Sequence, residues 1–467
     1  MRILLLNPPG DQVYLRDYYC SKVSKADYLY EPLDLLMLSG ILKREHDLKV
    51  IDAIAMRSGP KETLCEILDF APEAVVFVSG AVSFERDRLF LQEVKDRTRA
   101  RMIGSGDLFL DNPAQYLGED SPVDAVLLDF TDESVLDYLK GHVPCRNIVC
   151  RAQAGIVSGP VVRGKGEEFH LPQPDHSLFP IGRYQYPFVR DARFATVLTD
   201  YGCPFHCSFC VMSGIGFKLR DVDSVIEELR TLKNRGVREI YFDDQTFAAR
   251  RKRTRDLLER MIIEKLNMGW CCFTRVDVVD EEMLSLMKRA GCHTIMFGVE
   301  SADQAMLDRH QKGIRIDRVS GMIRACVRLR ISTVATFIIG LPGDTRDSIE
   351  RTVRYALSCG CDFASFNIAV PRAGTPLREE SVRDGLLARE MKDMDQSGSR
   401  AFLKTGNLAP EEIERLKDAA VRRFYGRPFY LLHQLFRITS FYDLKRKIGG
   451  FFAIIRRSSR RRKEGDA

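Results

Sequence analysis

The chain has 467 residues, 45% of them hydrophobic and 29% charged, which is enough for two or three domains with sizeable cores. Its thirteen cysteines are odd in number and ten are scattered, so we expect free thiols in a reducing cytoplasm and exclude a disulfide framework. We recognise no secretory signal, and no apolar run approaches the ~18 residues that a membrane span needs. The net charge of +6 comes largely from the last fifty residues and says little about the rest.

The first 150 residues alternate short apolar runs with helical patterns. This alternation predicts a Rossmann-like parallel sheet with helices on both faces, so we assign residues 1–150 to one α/β domain. Ligands of such sheets bind at the carboxyl ends of the strands, which are followed here by Asn7, Asp52, Ser79 and Gly104. The predicted strands cover 3–6, 48–51, 74–78, 101–103 and 123–128, and the predicted helices 32–44, 84–97 and 132–139.

Six strand-then-helix units follow one another in residues 194–400. Repeated units of this length predict a partial (β/α)6 barrel of the TIM type, with its chemistry at the carboxyl ends of the strands. The preceding residues 151–193 are rich in Gly, Pro and charge, which predicts an extended linker. The predicted barrel strands cover 194–198, 239–242, 270–273, 294–297, 333–339 and 363–369, and helices between them include 222–234, 251–266 and 349–358.

The last segment, residues 401–467, is predicted to be helical and basic. A charged helix covers 411–423, and from Arg422 to Lys463 thirteen Lys and Arg residues oppose one acid, Asp443. Aromatic and aliphatic residues interleave with these charges. Such a composition is typical of a helix on an anionic membrane surface, and a cap packed on the barrel is equally compatible with it. No recognisable fold supports nucleic-acid binding.

Three cysteines lie within eight residues after the first barrel strand. Cys203, Cys207 and Cys210 have the spacing Cys-x-x-x-Cys-x-x-Cys, which can turn three thiolates toward one metal centre. Thiolates are the usual ligands of iron–sulfur clusters, and three of them leave one iron of a 4Fe–4S cubane open to a substrate. Two alternatives stay open: a closed zinc site that includes His206, and buried apolar cysteines without a metal.

This cysteine spacing resembles the signature of the radical S-adenosylmethionine (radical SAM) enzymes, and the six polar or Gly-rich strand ends resemble the family's pattern at each place. The resemblance implies an oxygen-sensitive 4Fe–4S cluster that reduces S-adenosylmethionine to a 5′-deoxyadenosyl radical, which abstracts hydrogen from an unactivated carbon. It also implies an electron donor, either a reductase with flavodoxin or a ferredoxin.

The resemblance also suggests roles at the strand ends. Asp243 or Asp244 occupies the place of the family's motif for the amino group of S-adenosylmethionine, and a helix N-cap is the alternative for Asp243. Arg275 is a candidate for the carboxylate, with a salt bridge to Asp277 that caps the next helix as the alternative. Ribose hydroxyls and adenine complete the cofactor, and the candidates for them are Glu300 and Ser301 for ribose and Phe209, Gly340 and Pro342 for adenine.

The N-terminal half resembles the cobalamin (B12)-binding-like domain that precedes the barrel in one large group of radical SAM proteins. The usual fingerprint, Asp-x-His-x-x-Gly, carries the His that ligates cobalt. Here Ile54 stands in the place of that His, two residues after Asp52, and the family's later acidic glycine stretch is missing. Two interpretations stay open: cobalamin bound without a lower His ligand, and a domain that keeps the fold without a cofactor.

Together these features predict a radical SAM enzyme for C–H activation, with methyl transfer if cobalamin is bound and rearrangement or cyclisation if it is not. We expect a small-molecule or lipid-like substrate and a cytoplasmic protein whose tail contacts the inner face of the membrane. A methylthiotransferase would need a second cluster, for which the N-terminal cysteines are not grouped. A zinc or iron–sulfur module without enzymatic activity is the alternative from another class.

Overall fold

The computed structural model of the protein describes residues 1–24, 28–387, 395, 400–405, 408–428 and 430. The first half is built on a seven-stranded sheet of order β4-β1-β5-β6-β7-β8-β9, in which β4 to β7 run parallel to β1. The strands are β1 Arg2–Asn7, β2 Tyr14–Leu15, β3 Lys22–Val23, β4 Asp47–Asp52, β5 Ala74–Val78, β6 Arg101–Ser105, β7 Ala125–Leu127, β8 Ile148–Ala152 and β9 Gly155–Ser158. The helices are α1 Leu33–Leu42, α2 Ala53–Met56, α3 Pro60–Phe70, α4 Phe84–Thr98 and α5 Ser134–Leu139.

Both faces of this first sheet are buried, as predicted. Side chains alternate across a strand, so Ile3 and Leu5 pack on the face that α1 covers, and Leu4 and Leu6 pack on the face that α3 and α4 cover. All five predicted strands form. The antiparallel strands β8 and β9 extend the sheet to Ser158, past residue 150, where the sequence predicts a linker to begin. Because β9 is largely exposed, its sequence has no apolar pattern from which the strand could be predicted.

The second half is a partial barrel of six parallel strands in the order β11-β14-β15-β16-β17-β18, and a small sheet of order β10-β13-β12 lies beside it. The predicted six strands are confirmed. The strands are β10 Lys165–Phe169, β11 Phe194–Val197, β12 Asp200–Gly202, β13 Phe217–Arg220, β14 Glu239–Phe242, β15 Gly269–Thr274, β16 Cys292–Glu300, β17 Ser332–Ile339 and β18 Phe363–Ile368. The helices are α6 Val222–Asn234, α7 Arg251–Ile263, α8 Glu281–Arg289, α9 Gln304–Arg309, α10 Ile316–Arg328, α11 Arg346–Ser358, α12 Pro376–Arg383 and α13 Pro410–Tyr425.

The interior of the partial barrel is filled by aromatic residues of the predicted linker. The Tyr186 ring stacks on Tyr241 of β14 at 4.3 Å between centroids, and its hydroxyl donates to the Met296 sulfur of β16 at 3.4 Å. Phe188 contacts Phe363 of β18 edge-on. The linker is therefore part of the barrel core, and it covers apolar surface that a closed barrel would bury by itself.

A strap of residues 14–24, which contains the β2–β3 hairpin, lies between the first sheet and the barrel. The Asp107 carboxylate, just after β6, accepts from the Ser21 amide at 2.6 Å, and the Tyr18 ring stacks on Tyr201 of β12 at 5.2 Å. The Arg372 guanidinium, after β18, is also paired with Asp107. The carboxyl ends of the first sheet and of the barrel thus face each other across the strap.

The C-terminal helix α13 packs on the barrel. The Tyr425 hydroxyl donates to the Ala364 carbonyl of β18 at 2.8 Å, and Arg423 pairs with Glu350 of α11. Most of the basic, aromatic tail lies outside the described residues, so its predicted membrane contact stays a prediction. No helix within the described part of the chain is long and apolar enough to cross a membrane.

Candidate active site

The three motif cysteines lie on a loop that two glycines close at its base. Gly202 ends β12 at φ 84°, and a Cβ there would lie 1.9 Å from the Gly216 carbonyl oxygen. That same oxygen accepts from the Cys203 amide at 3.1 Å. Only glycine allows the two ends of the loop to approach this closely at positive φ. The two ends of the cysteine loop are therefore held close together where the loop joins β12 and β13.

Ser208 fixes the middle of the loop to the barrel. Its amide donates to the His310 carbonyl at 3.1 Å, and its own carbonyl accepts from the Leu377 amide at 2.9 Å. Its hydroxyl also lies 3.0 Å from Nδ1 of His310, whose Nε2 lies 3.0 Å from the Pro342 carbonyl. The position of the cysteine loop is thus tied to the loops after β16, β17 and β18.

The three motif cysteines are partly or fully buried and lie beside positive charge. Burial raises the pKa of Cys203, and it raises the pKa of Cys210 to about 12. The Arg275 guanidinium donates from Nη1 to the Cys207 sulfur at 3.6 Å and lies 3.7 Å from the centre of the Phe205 ring. Ionised thiolates in such a pocket need cations beside them, and Arg275 is one.

Arg275 also makes the salt bridge that the sequence allowed as its alternative role. Its Nε and Nη2 donate to the two carboxylate oxygens of Asp277 at 2.9 and 2.8 Å, and Nη2 also donates to the Lys312 carbonyl at 2.6 Å. Asp277 caps no helix, because the N-cap of α8 is Asp280. With the Cys207 sulfur, these partners engage all three guanidinium nitrogens, and a role of Arg275 toward a carboxylate stays a prediction.

Glu300 and Lys312 form a buried ion pair that sequence reasoning only half anticipated. The Lys312 ammonium donates to the Glu300 carboxylate at 2.8 Å, and the side chains are 7% and 11% exposed. Glu300 adopts φ 69° at a register shift of β16, and a Cβ on Gly298 would lie 2.6 Å from its carboxylate. Positive φ at a non-glycine residue is a strain that clusters at functional sites.

Lys312 is a site residue that the sequence did not reveal, because it lies in a loop after α9 and belongs to no motif. Burial lowers its pKa, but Glu300 and the Cys207 thiol raise it more, so the ammonium stays charged. Its Nζ also lies 6.0 Å from the centre of the Phe209 ring. Lys312 therefore connects Glu300 with the cysteine loop.

The neighbouring acids Asp243 and Asp244 differ in their hydrogen-bond partners. Asp244 accepts from the Thr199 amide and hydroxyl at 2.7 and 2.6 Å and from the Asp200 amide at 3.1 Å, so both of its oxygens are used. Asp243 accepts from the Tyr241 hydroxyl at 2.7 Å, and its other oxygen is buried without a partner. Asp243 is not a helix N-cap, since the cap of α7 is Arg250. Of the two acids, only Asp243 has an oxygen available to a ligand.

The remaining candidates fall into two groups. The Ser301 hydroxyl accepts from the Asp303 amide at 3.1 Å and lies 3.4 Å from the Thr352 hydroxyl, so it turns toward α11 and away from Glu300. Phe209, by contrast, packs in a small apolar cluster with Leu341, which lies between Gly340 and Pro342. Phe209 and the Gly340–Pro342 turn thus lie together, whereas the Ser301 hydroxyl is engaged elsewhere, and the roles predicted for these residues toward adenine and ribose stay predictions.

At the first sheet, the residues after the strands bond to one another. The Asn7 side chain donates to Asp52 at 2.9 Å, Tyr184 donates to the other Asp52 oxygen at 2.9 Å, and Ser79 donates to Asp87 at 2.7 Å. Ile54, in the place of the cobalt-ligating His, is buried in an apolar cluster. This edge offers no side chain that could ligate cobalt from that position.

The donor set fits a cluster better than a single ion. Among the residues that the structure describes, no three His, Cys, Asp or Glu side chains converge on one metal position. His206 is exposed, whereas the three cysteines are partly or fully buried. A cubane is held by thiolates on separate irons, so it requires no such convergence. Cys203, Cys207 and Cys210, shielded and flanked by Arg275, fit such a group.

Comparison with known proteins identifies a family for the barrel part of the chain. The family model described as the radical SAM superfamily matches residues 197–356. An uncharacterised methyltransferase, PH0819, from Pyrococcus horikoshii is 29% identical over 97% of this chain and 98% of its own length. The cytidylyl-2-hydroxyethylphosphonate methyltransferase of Streptomyces wedmorensis is 28% identical over 58% of this chain, which spans only 54% of that protein.

Among solved structures, the radical S-adenosylmethionine methyltransferase TsrM from Kitasatospora setae, with cobalamin and a [4Fe-4S] cluster bound, has a TM-score of 0.71. The superposition covers 98% of this chain and 99% of TsrM at 17% identity, which shows a shared fold. The matched barrel, the cysteine loop and the preceding parallel sheet agree with the predicted architecture. The chain therefore carries a radical SAM enzyme domain at residues 197–356, within a fold that it shares with TsrM.

Proposed function

We propose that the protein is a cobalamin-dependent radical SAM methyltransferase that methylates an unactivated carbon of a small molecule. The observation that carries the proposal is the shielded cysteine loop facing Arg275, Lys312 and the strained Glu300. When bound, the reduced cluster supplies the electron that cleaves S-adenosylmethionine, and cobalamin supplies a methyl carrier. The names of the Pyrococcus and Streptomyces relatives and the cobalamin in TsrM support methyl transfer.

The chain's own residues would prepare the site for this chemistry. Cys203, Cys207 and Cys210 would hold the cluster, and Arg275 and Lys312 would offset the thiolate charge that burial disfavours. Ser208, bonded to the barrel on both sides, keeps the loop in place. The apolar residues around the loop exclude water, which strengthens each of these interactions.

Separate residues would bind S-adenosylmethionine. The open oxygen of Asp243 would accept from its amino group, and Glu300, oriented by Lys312, would accept from the ribose hydroxyls. Phe209 and the turn at Leu341 would contact adenine. We assign Asp244 and Ser301 to positioning, because their bonds go to Thr199, Asp200, Asp303 and Thr352.

Cobalamin would lie without a lower His ligand, because Ile54 replaces it. We propose the same four domains and segments as the sequence predicts, with one changed boundary. The cobalamin-binding-like domain covers residues 1–158 instead of 1–150, so the linker starts after residue 158. The barrel, 194–400, and the C-terminal extension, 401–467, keep their boundaries. A flavodoxin or ferredoxin donor, a cytoplasmic location and peripheral membrane contact of the tail complete it.

The two acids after β14 give the test of this assignment. Asp243→Asn should weaken S-adenosylmethionine binding in reconstituted, anaerobic protein while iron and sulfide stay at wild-type levels. Formation of 5′-deoxyadenosine or S-adenosylhomocysteine under dithionite should fall with it. Because both oxygens of Asp244 are already engaged by Thr199 and Asp200, the matched Asp244→Asn variant should change S-adenosylmethionine binding far less.

Three results would contradict the proposal. Zinc as the only metal in anaerobically purified protein would exclude the cluster. Equal affinities in wild type and Asp243→Asn would remove Asp243 from the cofactor site. Protein that emerges from gel filtration with no cobalt after reconstitution with hydroxocobalamin would exclude the cobalamin-dependent reaction, because no carrier would then be present.

A further inference from the structure

Several buried polar atoms between the strap and the barrel have no partner within the described part of the chain. They are Asp17 Oδ1, the Tyr18 hydroxyl, Asp243 Oδ2, and Nε and Nη1 of Arg372. A buried donor or acceptor without a partner is costly, and native proteins contain few. Their concentration at the facing strand ends indicates a place for a polar ligand.

Arg372 carries the strongest signal among them. The residue is 2% exposed and follows β18, the last barrel strand. Its Nη2 pairs with Asp107, whose carboxylate is held in turn by the amides of Ser21 and Ala81 at 2.6 and 3.2 Å. The Nη2 nitrogen thus fixes the guanidinium, and the other two nitrogens, Nε and Nη1, remain able to donate to a ligand. Burial lowers the pKa of Arg372, but Asp107 and the thiols of Cys20 and Cys210 raise it more.

The charge around Arg372 favours an anion. Asp107 compensates Arg372, and Lys22 of the strap adds a second cation. Burial lowers the pKa of Lys22, but Tyr28 and Cys20, followed by Asp17 and Asp243, raise it more. Burial raises the pKa of Asp17 to about 7 and that of Asp243 well above its usual range. Protonated, or paired with an ammonium group, Asp243 adds no net negative charge.

We propose that Arg372 binds a compact anionic group of the substrate, a carboxylate, phosphonate or phosphate, through its open Nε and Nη1 donors at the mouth of the barrel. The planar guanidinium presents the donor geometry that such groups accept. This inference rests on the proposed function, because only that function makes the bound anion a substrate group. The substrate is then a molecule with an acidic polar group and not a neutral lipid.

Small anions test the site directly. Binding of acetate, methylphosphonate and inorganic phosphate, with acetamide as the neutral control, is measured by calorimetry and thermal unfolding at constant ionic strength. At least one anion should bind the wild type saturably, and the preferred one identifies the group. Arg372→Lys keeps the charge but loses the planar fork, so the affinity should fall at least tenfold.

Two further variants keep the test decisive if Arg372→Lys does not fold. Asp107→Asn removes the charge that compensates Arg372, so the anion should bind severalfold more tightly. Arg351→Lys, which alters an exposed pair on α11, should bind like the wild type. The proposal is overturned if no anion binds, if acetamide binds equally well, or if Asp107→Asn weakens binding.

Cobalamin carries a phosphodiester and is the other source of an anion. If Arg372→Lys loses hydroxocobalamin together with the small anions, the anion belongs to cobalamin and the substrate assignment fails. Retained hydroxocobalamin with lost anion binding supports it. Iron content and 5′-deoxyadenosine formation are measured on the wild type in parallel. An anion site in a protein without cluster chemistry would refute the proposed function and leave the binding site standing.

Discussion

Removing one partner of the Glu300–Lys312 pair should destabilise the barrel strongly. The atoms are 2.8 Å apart and both side chains are nearly buried, so Lys312→Met leaves a carboxylate in a site without water. Breaking a buried pair costs about 3–5 kcal/mol, a large part of the about 5–15 kcal/mol that holds a domain folded. Lys312→Met combined with Glu300→Gln leaves no charge unpaired and should cost at least about 2 kcal/mol less than the sum of the single changes.

Native-state hydrogen exchange of the β16 amides measures these costs locally, which suits a chain with more than one cooperative unit. Arg351→Met is the matched control: it breaks an ion pair with Asp303 in which Arg351 is 49% exposed, and it should cost under about 1 kcal/mol. Single changes that cost less than the control, or costs that add in the double variant, would refute the reasoning. A lower affinity of the double variant for S-adenosylmethionine would indicate that the Glu300–Lys312 pair contacts this cofactor.

Three other changes test separate parts of the structure. Alanine in place of any one motif cysteine should leave reconstituted protein without iron and sulfide, and a variant with full iron would exclude that cysteine as a ligand. Ser208→Ala should reduce cluster retention without removing a ligand, which iron loss on dilution measures. The buried His176 ring lies between two carboxylates, with Nδ1 2.9 Å from Glu31 and Nε2 2.8 Å from Glu228. Burial lowers the pKa of His176, but Glu31 and Glu228 raise it to about 10, above the unfolded value of 6.5. These two contacts should therefore stabilise the fold fully below about pH 6.5 and lose their effect as the pH rises through about 10. The difference in melting temperature between wild type and His176→Gln should shrink over that range, and a constant difference would contradict the sign.

The strongest local signals in the sequence were enough for the architecture. Apolar runs and helical patterns predicted five strands of the first sheet, all six barrel strands and α6 at its observed bounds. These elements are long or strongly periodic, so their own residues specify them. The cysteine spacing also predicted the metal centre, because three ligands within eight residues must lie close together in any fold.

The roles of the site residues depended on contacts that no local pattern records. Asp243 and Asp244 are adjacent and chemically alike. Strand β14 is buried along its length, so its sequence does not tell which acid points into the barrel, and only the register with its neighbours decides that Asp243 keeps an open oxygen. Lys312 reaches Glu300 because the chain bulges after Gly298, which no motif announces.

The contacts between the two halves of the chain could not be predicted from the sequence for the same reason. Asp107 and Arg372 are 265 residues apart, and neither carries a pattern that points to the other. A local pattern reports which face of an element is apolar, whereas an ion pair between distant loops forms only after both sheets have folded and their strand ends meet. The sequence by itself therefore determined the two sheets and placed three cysteines on one short loop. The tertiary structure decided which charged groups surround that loop and which of their donors are open to a ligand.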